Sequence, residues 1–410
     1  MSTTSCRLCG APLTETFVDL GMSPPCESYL KADQLHQGET FYPLDVRVCS
    51  ECLLVQLPAY VGAEEIFSYY AYFSSFSDSW VEHARRFVDQ AADRLGLGAD
   101  SFVVEVASND GYLLQHVQAR GIRCLGIEPA ANVAEAAREK GIDTTVQFLG
   151  EKTGHAIATE HGKADLVCAN NVFAHVPDIV DFATGLRELV ADDGTVTIEI
   201  PHLLRLIEDR LYDTIYHEHF SYLSLLTTQR VLAKAGLAVV DVEELTTHGG
   251  SLRTWSMPVE AATAPSERVA KVLADEKAAG LDTLEGHQGF AGVVSAARND
   301  LVEFLIARNR EGKKVAGYGA PGKGNTLLNH AGIRSDLLSF TVDRNTFKHG
   351  MFLPGTHIPI YAPEKLDEER PDYILILPWN LRDEIAQQLA YTAEWGAKLV
   401  VPLPHVEVLS

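Results

Sequence analysis

Basic residues are scarce in this chain: 34 Lys and Arg stand against 56 Asp and Glu in 410 residues, a formal net charge of −22. Nucleic-acid phosphates are held by clustered cations, so the deficit argues against a nucleic-acid partner while leaving room for a basic pocket around one nucleotide. No apolar run of about 18 residues exists, which argues against a membrane-spanning helix and a membrane partner. The start of the chain lacks the apolar core of a secretory signal. A cytoplasmic location is expected, with the seven cysteines reduced. Two motifs are conspicuously incomplete. The first strand–turn–helix unit has no GxGxxG, so a dinucleotide pyrophosphate has little room to approach its backbone. The zinc-protease pattern H-E-x-x-H, begun at His217, fails because Ser221 stands where the second His belongs.

What is present is ordinary for a globular protein, 46% apolar and 22% charged, long enough for two or three domains. Four cysteines are not scattered. Cys6 and Cys9 form one C-x-x-C, Cys49 and Cys52 another, and two such knuckles can complete a tetrahedral thiolate site for structural zinc. Two unrelated pairs or a redox C-x-x-C are the other readings. Four thiolates leave no open position for substrate, so the ion is expected to staple a small module over residues 1–66. Cys26, Cys124 and Cys168 lack such spacing and read as single thiols in the core or beside the site.

Residues 101–129, SFVVEVASNDGYLLQHVQARGIRCLGIEP, carry the most information. An apolar strand runs into the small polar turn Ala107, Ser108, Asn109, Asp110, Gly111; an amphipathic helix follows, then a strand ending at Glu128. This opens a doubly wound α/β unit, whose ligand sits at the carboxyl ends of the strands. Glu128 stands where a carboxylate can accept hydrogen bonds from both hydroxyls of an adenosine ribose. Glu105, just before the turn, repels phosphate and suits an amino group or sulfonium. S-adenosylmethionine meets that description better than NAD, and an ordinary core strand and turn is the alternative. Strand-like segments at 102–107, 123–128, 164–169 and 195–200 alternate with helical patterns, the rhythm of a parallel sheet with right-handed crossovers. Segments 237–242 and 252–258 resemble a terminal strand pair, and a charged helical stretch from about 265 to 310 reads as a bridge between domains.

A second α/β unit begins with KKVAGYGAPGKGNTLLNHAG. Its glycines suit a nucleotide-type ligand or a close helix-on-strand approach; Lys323, Arg344 and Lys348 on neighbouring loops favour the ligand. Before it, after the fifth strand, Tyr216, His217, Glu218 and His219 are the densest group of acid–base side chains, with His175 expected in the same crevice. Metal ligation and plain structural histidines are alternatives to general acid–base work. The aromatic run containing Tyr69, Tyr70, Tyr72 and Phe73 either packs a domain seam or sends one tyrosine to the ligand.

These blocks, in this order, together with DLGMSPP, GIEPAANVA, NNVFAHV, DTIYHEHFSYLSL and HGGSLR, make the whole chain resemble the sugar C-methyltransferases of antibiotic deoxysugar biosynthesis. Members of that family transfer methyl from S-adenosylmethionine to C-3 of a thymidine-diphosphate (dTDP) 4-keto-deoxysugar; the best match is to enzymes whose sugar carries a 3-amino group. The resemblance implies a zinc-binding module over 1–66, a central doubly wound, Rossmann-like methyltransferase domain over 67–262, and a second Rossmann-like nucleotide-sugar domain over 263–410. It implies structural zinc on Cys6, Cys9, Cys49 and Cys52. The methyl donor would lie on Glu105, Ala107, Asn109, Gly111, Glu128, Pro129 and Asn170. His219 is the favoured base, with Tyr216, Glu218, His175 and Tyr70 lining the sugar pocket and Lys323, Arg344 and Lys348 serving the dTDP. Competing readings are an O- or N-methyltransferase, an RNA-modifying methyltransferase using the zinc knuckles, and a non-catalytic scaffold. A monomer is expected.

Overall fold

Alternation of apolar side chains along short strands, interrupted by amphipathic helices, dictates layered sheets covered on both faces. The computed structural model describes residues 5–62 and 73–409. The chain divides into two compact units that do not follow chain order. Met1–Thr14, Cys49–His202 and Phe220–Leu284 make the first, and Glu15–Val48, Leu203–His219 and Glu285–Ser410 the second. Among the described residues no helix is long and apolar enough to cross a membrane.

The first unit is built on β1 (Phe102–Val106), β2 (Arg123–Ile127), β3 (Thr144–Thr145), β4 (Ala164–Asn170), β5 (Val190–Pro201), β6 (Leu237–Leu245) and β7 (Ser251–Pro258). They lie in the order β6-β7-β5-β4-β1-β2-β3. Strands β1 to β5 are mutually parallel, whereas β7 runs antiparallel to both β5 and β6. The expected terminal strand pair is thus an antiparallel hairpin added to a parallel sheet. Period-two alternation sorts the side chains. Val104, Val106, Val167, Ala169, Val196 and Ile198 join the core beneath helices Glu151–His161, Ile179–Leu189, Leu225–Lys234 and Glu267–Ala278. Val103, Leu166, Cys168 and Trp255 face helices Asp78–Leu95 and Leu114–Ala119. Strand order reverses between β1 and β4, the place where an open sheet of this kind leaves a crevice for ligand.

The second unit contains β8 (Val315–Tyr318), β9 (Thr341–Val342), β10 (Ile360–Tyr361), β11 (Tyr373–Ile376), β12 (Lys398–Val401) and β13 (Glu407–Val408), ordered β10-β9-β8-β11-β12-β13. All but the β12–β13 pair are parallel. Here order reverses between β8 and β11. The hairpin Glu15–Ser23 with Tyr42–Val48 also belongs to this unit. The expected helical bridge is two helices that fall in different units. Glu267–Ala278 buries Val269 and Val272 in the first unit's core, and Phe290–Arg310 belongs to the second.

Candidate active site and zinc centre

Each C-x-x-C pair forms a tight knuckle because the residue after it turns left-handed. Gly10 (φ 78°) and Leu53 (φ 62°) return their N–H groups to Cys6 O and Cys49 O at 2.8 and 2.9 Å. The four Sγ atoms lie within 4.8 Å of one another, with Cys6–Cys52 at 3.4 Å and Cys9–Cys49 at 3.5 Å. A tetrahedron of thiolates at about 2.3 Å from zinc has edges of about 3.8 Å, so the cluster closes onto the ion with small shifts. Gln56 supplies the outer support: its Nε2 donates to Cys6 Sγ at 3.1 Å while its Oε1 accepts from Arg7 N at 3.0 Å. Such donors orient a thiolate and stabilise its charge.

In the first unit the turn after β1 is left-handed at Ala107 (φ 56°), Asn109 (φ 49°) and Gly111 (φ 77°). Glycine suits the last position, which is left-handed and where a Cβ would stand 2.3 Å from Ile142 Cδ1 and force that side chain to move. The conformation points Asn109 N–H at Glu128, whose Oε2 accepts it at 2.9 Å; Glu128 Oε1 accepts from Ala130 N at 2.9 Å, across Pro129. Each carboxylate oxygen keeps a second lone pair, which is what two ribose hydroxyls require. Burial raises the Glu128 pKa, while the two N–H groups oppose the rise. At the end of β4, Asn170 Oδ1 is buried without a hydrogen-bond partner, as are Ser108 Oγ and both amide atoms of Asn171. Orphaned donors and acceptors at the sheet's switch point fit the ammonium and carboxylate of an amino-acid moiety. Glu105, expected as a counter-charge beside the ligand, is buried on β1. It points to the Val103 side of β1, where burial, with the charges of Glu128 and Asp110 adding, pushes its carboxyl well above the usual range; Tyr112 opposes this as a donor.

In the second unit His217, Glu218 and His219 are all buried. His219 Nδ1 lies 2.7 Å from Thr214 O, so it must carry the proton and donate it, which makes Nε2 the basic nitrogen. The Tyr216 ring packs on His219 with centroids 4.1 Å apart. His217 faces the edge of Tyr42, and burial lowers its pKa. Glu218 accepts from Cys26 Sγ at 3.6 Å, and Cys26 is held by Asn325 Nδ2 donating to its carbonyl at 2.6 Å. Desolvation, and then the charge of Glu27, push Glu218 to about 8 despite the Cys26 donor. A carboxyl raised in the fold holds a proton that the unfolded chain has released, so stability falls as pH climbs from the ordinary carboxylate range to about 8. Glu218→Gln is expected to remove that slope and to raise stability near pH 8 by on the order of 3 kcal/mol. Urea titrations of both proteins at pH 5 and at pH 8 measure it; equal pH slopes refute it.

The second sheet repeats the first unit's device. Asp343, directly after β9, accepts Ala320 N and Asn345 N, each at 2.7 Å, as Glu128 accepts the N–H groups of Asn109 and Ala130. Across the switch point Lys323 sits 4.4 Å over the Trp379 ring and donates to Asn380 Oδ1. Burial brings Lys323 down to about 8, with Asp213 opposing. Asp213 is itself raised to about 6 by burial and accepts Trp379 Nε1 at 2.6 Å. Lys348 donates to Tyr29 OH and to Ala320 O, both at 2.8 Å, and Arg344 is exposed beside Asp343.

Of the residues singled out from sequence, Glu105, Ala107, Asn109, Gly111, Glu128, Pro129, Asn170 and His175 fall in the first unit. Tyr216, Glu218, His219, Lys323, Arg344 and Lys348 fall in the second. His175 closes the short turn Phe173–His175, and Ala174 O there accepts Phe220 N at 2.8 Å. Tyr70, with Tyr69 and Tyr72, lies outside the described residues. Sequence reasoning missed Gln56, Asn171 and Thr214, and left Asp343 without a role. Asp343 is legible in the sequence as the acid ending the strand after the Gly-rich turn; the others carry no local signal.

Three family models match the chain: a zinc binding domain over residues 6–67, a methyltransferase domain over 80–242, and a C-methyltransferase C-terminal domain over 246–404. The C-methyltransferase NovU of Streptomyces niveus is 36% identical over 405 residues, spanning 99% of this chain and 96% of the relative. Among solved structures, an S-adenosylmethionine-dependent methyltransferase from Clostridium acetobutylicum covers 43% of this chain and 91% of its own, at 11% identity and TM-score 0.35. The magnesium protoporphyrin IX methyltransferase of Synechocystis, solved with bound S-adenosylhomocysteine, covers 43% and 82%, at 14% identity and TM-score 0.34. Likenesses of that size carry no weight for function.

Proposed function

The chain belongs to the S-adenosylmethionine-dependent C-methyltransferase family, and we propose that its acceptor is C-3 of a dTDP-linked 4-keto-deoxysugar, with His219 as the base. Methylation at carbon sets O- and N-acceptors aside and poses a chemical problem, because a saturated carbon has no lone pair to offer. A ketone beside it solves the problem by acidifying the neighbouring C–H, and the enzyme then needs a base and donors to the developing oxyanion.

The observation that carries this reading is the 2.7 Å contact of His219 Nδ1 with Thr214 O, a carbonyl that can only accept, which makes Nδ1 the donor. Nε2 takes the C-3 proton; the C–H electron pair moves into the enolate, and charge collects on the C-4 oxygen. Tyr216 or His175 donates to that oxygen. Glu218, protonated at neutral pH by its burial, is a further O–H donor lining the sugar pocket, and Tyr70 is assigned there too. When bound, S-adenosylmethionine would supply an electrophilic methyl group to C-3, its sulfur keeping the electron pair of the broken S–CH3 bond and leaving as S-adenosylhomocysteine while the C-4 ketone re-forms. Glu128 holds the donor's ribose, and Asn170 with the turn around Asn109 holds its methionine portion. Glu105, buried just before the turn, is assigned to the wall of that seat.

For the nucleotide, the support is the recurrence in the second sheet of the geometry seen at Glu128. Asp343 is placed to accept the 3′-hydroxyl of deoxyribose, and Lys323, Arg344 and Lys348 are the cations assigned to the diphosphate. The test is to incubate the protein with a dTDP-3-amino-4-keto-trideoxyglucose and methyl donor, and to place the new methyl by NMR. It is expected on C-3. In deuterium oxide without donor, exchange of the C-3 proton is expected as well. A methyl on oxygen or nitrogen, or no reaction with any dTDP-4-keto-sugar, overturns the assignment.

A further inference from the structure

We propose that Lys140 is a positioning residue that sets affinity for the methyl donor, by clasping the turn of residues 107–111 from outside. The inference rests on the donor seat at Glu128 proposed above. A turn with three left-handed residues is costly to hold, and two of them, Ala107 and Asn109, are not glycine. Something must over-determine it. The structure shows what does.

Asp110, in the middle of the turn, is buried, and Lys140 Nζ reaches it twice: at 3.0 Å to Oδ2 and at 2.9 Å to the backbone carbonyl. Ser75 completes the grip. Its N–H donates to Asp110 Oδ1 at 3.3 Å, its hydroxyl donates to Oδ2, and Lys140 Nζ also reaches that hydroxyl at 3.3 Å. One residue earlier, Ser74 N donates to Asn109 Oδ1 at 2.9 Å, and Asp110 N shares the same acceptor at 2.9 Å. The turn is therefore fixed on its outer side by a lysine and two serines: Lys140 and Ser75 hold Asp110, and Ser74 N holds the side chain of Asn109.

Lys140 occupies a particular place in the chain. It ends helix Ala131–Glu139, whose other end begins beside Glu128 through the Ala130 N–H. One helix thus grips the turn at both of its functional points: the start through Glu128 and Asn109 N, the end through Lys140 and Asp110. Covalent chain and hydrogen bonds close a ring, Asn109 to Glu128 to helix to Lys140 to Asp110 and back. A change at Lys140 reaches the ribose carboxylate through Asn109 N–H, and so shifts the geometry of the seat without contacting it. Ile142, just past the helix, packs against Gly111 and fills the space a side chain would need. Removing the ammonium leaves the buried Asp110 carboxylate with Ser75 as its side-chain partner among the described residues, and an under-compensated buried charge is relieved by letting the turn open to water.

The experiment is isothermal titration of the full chain with S-adenosylhomocysteine, no acceptor present. Lys140→Met is expected to weaken binding about tenfold, whereas Lys140→Arg, which keeps the charge and reach, returns it to within about threefold of wild type. Ser75→Ala, a smaller change should the first variant fold poorly, is expected to weaken binding about threefold. In turnover, KM for the donor rises while kcat at saturating donor stays near wild type, a split that general destabilisation does not produce. Lys140→Met and Asp110→Asn combined are expected to cost less than the sum of the two, as partners in one network do. Glu128→Ala separates the two ideas. If it leaves the affinity intact, the donor seat itself is wrong. If it abolishes binding while Lys140→Met and Ser75→Ala both stay within twofold of wild type, the seat stands and the clasp falls.

Discussion

His219→Asn is expected to lower turnover by about a thousandfold, within the range that a positioned general base contributes. The substitution is chosen for what it preserves. The asparagine amide can still donate to Thr214 O, the partner that His219 Nδ1 holds at 2.7 Å, so the local fold and the sugar pocket are kept while the basic Nε2 is lost. Donor and nucleotide affinity should therefore stay near wild type, and C-3 deuterium exchange in the absence of donor should disappear. Tyr216→Phe keeps the ring that packs on His219 and removes only the hydroxyl, so a smaller loss is expected, of about tenfold to a hundredfold, as for one oxyanion donor. Near-wild-type turnover by His219→Asn would remove imidazole from the chemistry. Lost turnover with retained exchange would leave proton abstraction to another group and reassign His219 to the transfer step.

The second large effect belongs to the zinc centre. Cys49→Ser is expected to reduce bound zinc from one equivalent to near none by elemental analysis. It should also destabilise the first unit by about 4 kcal/mol where free zinc exceeds its dissociation constant by about a thousandfold. Cys49 is wholly buried in the same apolar cluster as Leu54, Leu186 and Leu225, so a failed knuckle exposes core rather than a surface loop. A drop in melting temperature of roughly 10 °C follows for a domain of that size. Chelation of the wild type should reproduce it, because binding free energy of a structural zinc is folding free energy. Unchanged metal content and melting temperature in the variant would return the cysteines to the status of ordinary core thiols. Gln56→Leu is a finer probe: it keeps the volume but removes the donor to Cys6 Sγ, and zinc affinity should fall without loss of the site.

The sequence by itself determined whatever depends on spacing along a few residues. Two thiolates on one knuckle need only C-x-x-C, and strand period two with a small polar turn and a terminal acid needs only residues 102–128. That is why the zinc site, both α/β sheets and the position of Glu128 are legible in the order of residues alone. Tertiary structure alone decided protonation and interleaving. Glu105 reads as an ordinary carboxylate along the chain, but burial pushes its pKa well above the usual range, and Glu218 is lifted to about 8 by desolvation and by Glu27, nearly two hundred residues away. Lys348 reads as a lone cation along the chain, and only the fold brings it to Tyr29 and Ala320, residues 319 and 28 positions away. The segment between the cysteine pairs belongs to a different compact unit from the cysteines themselves. Desolvation and long-range pairing are set by which distant residues arrive at a site, and no local pattern encodes that arrival.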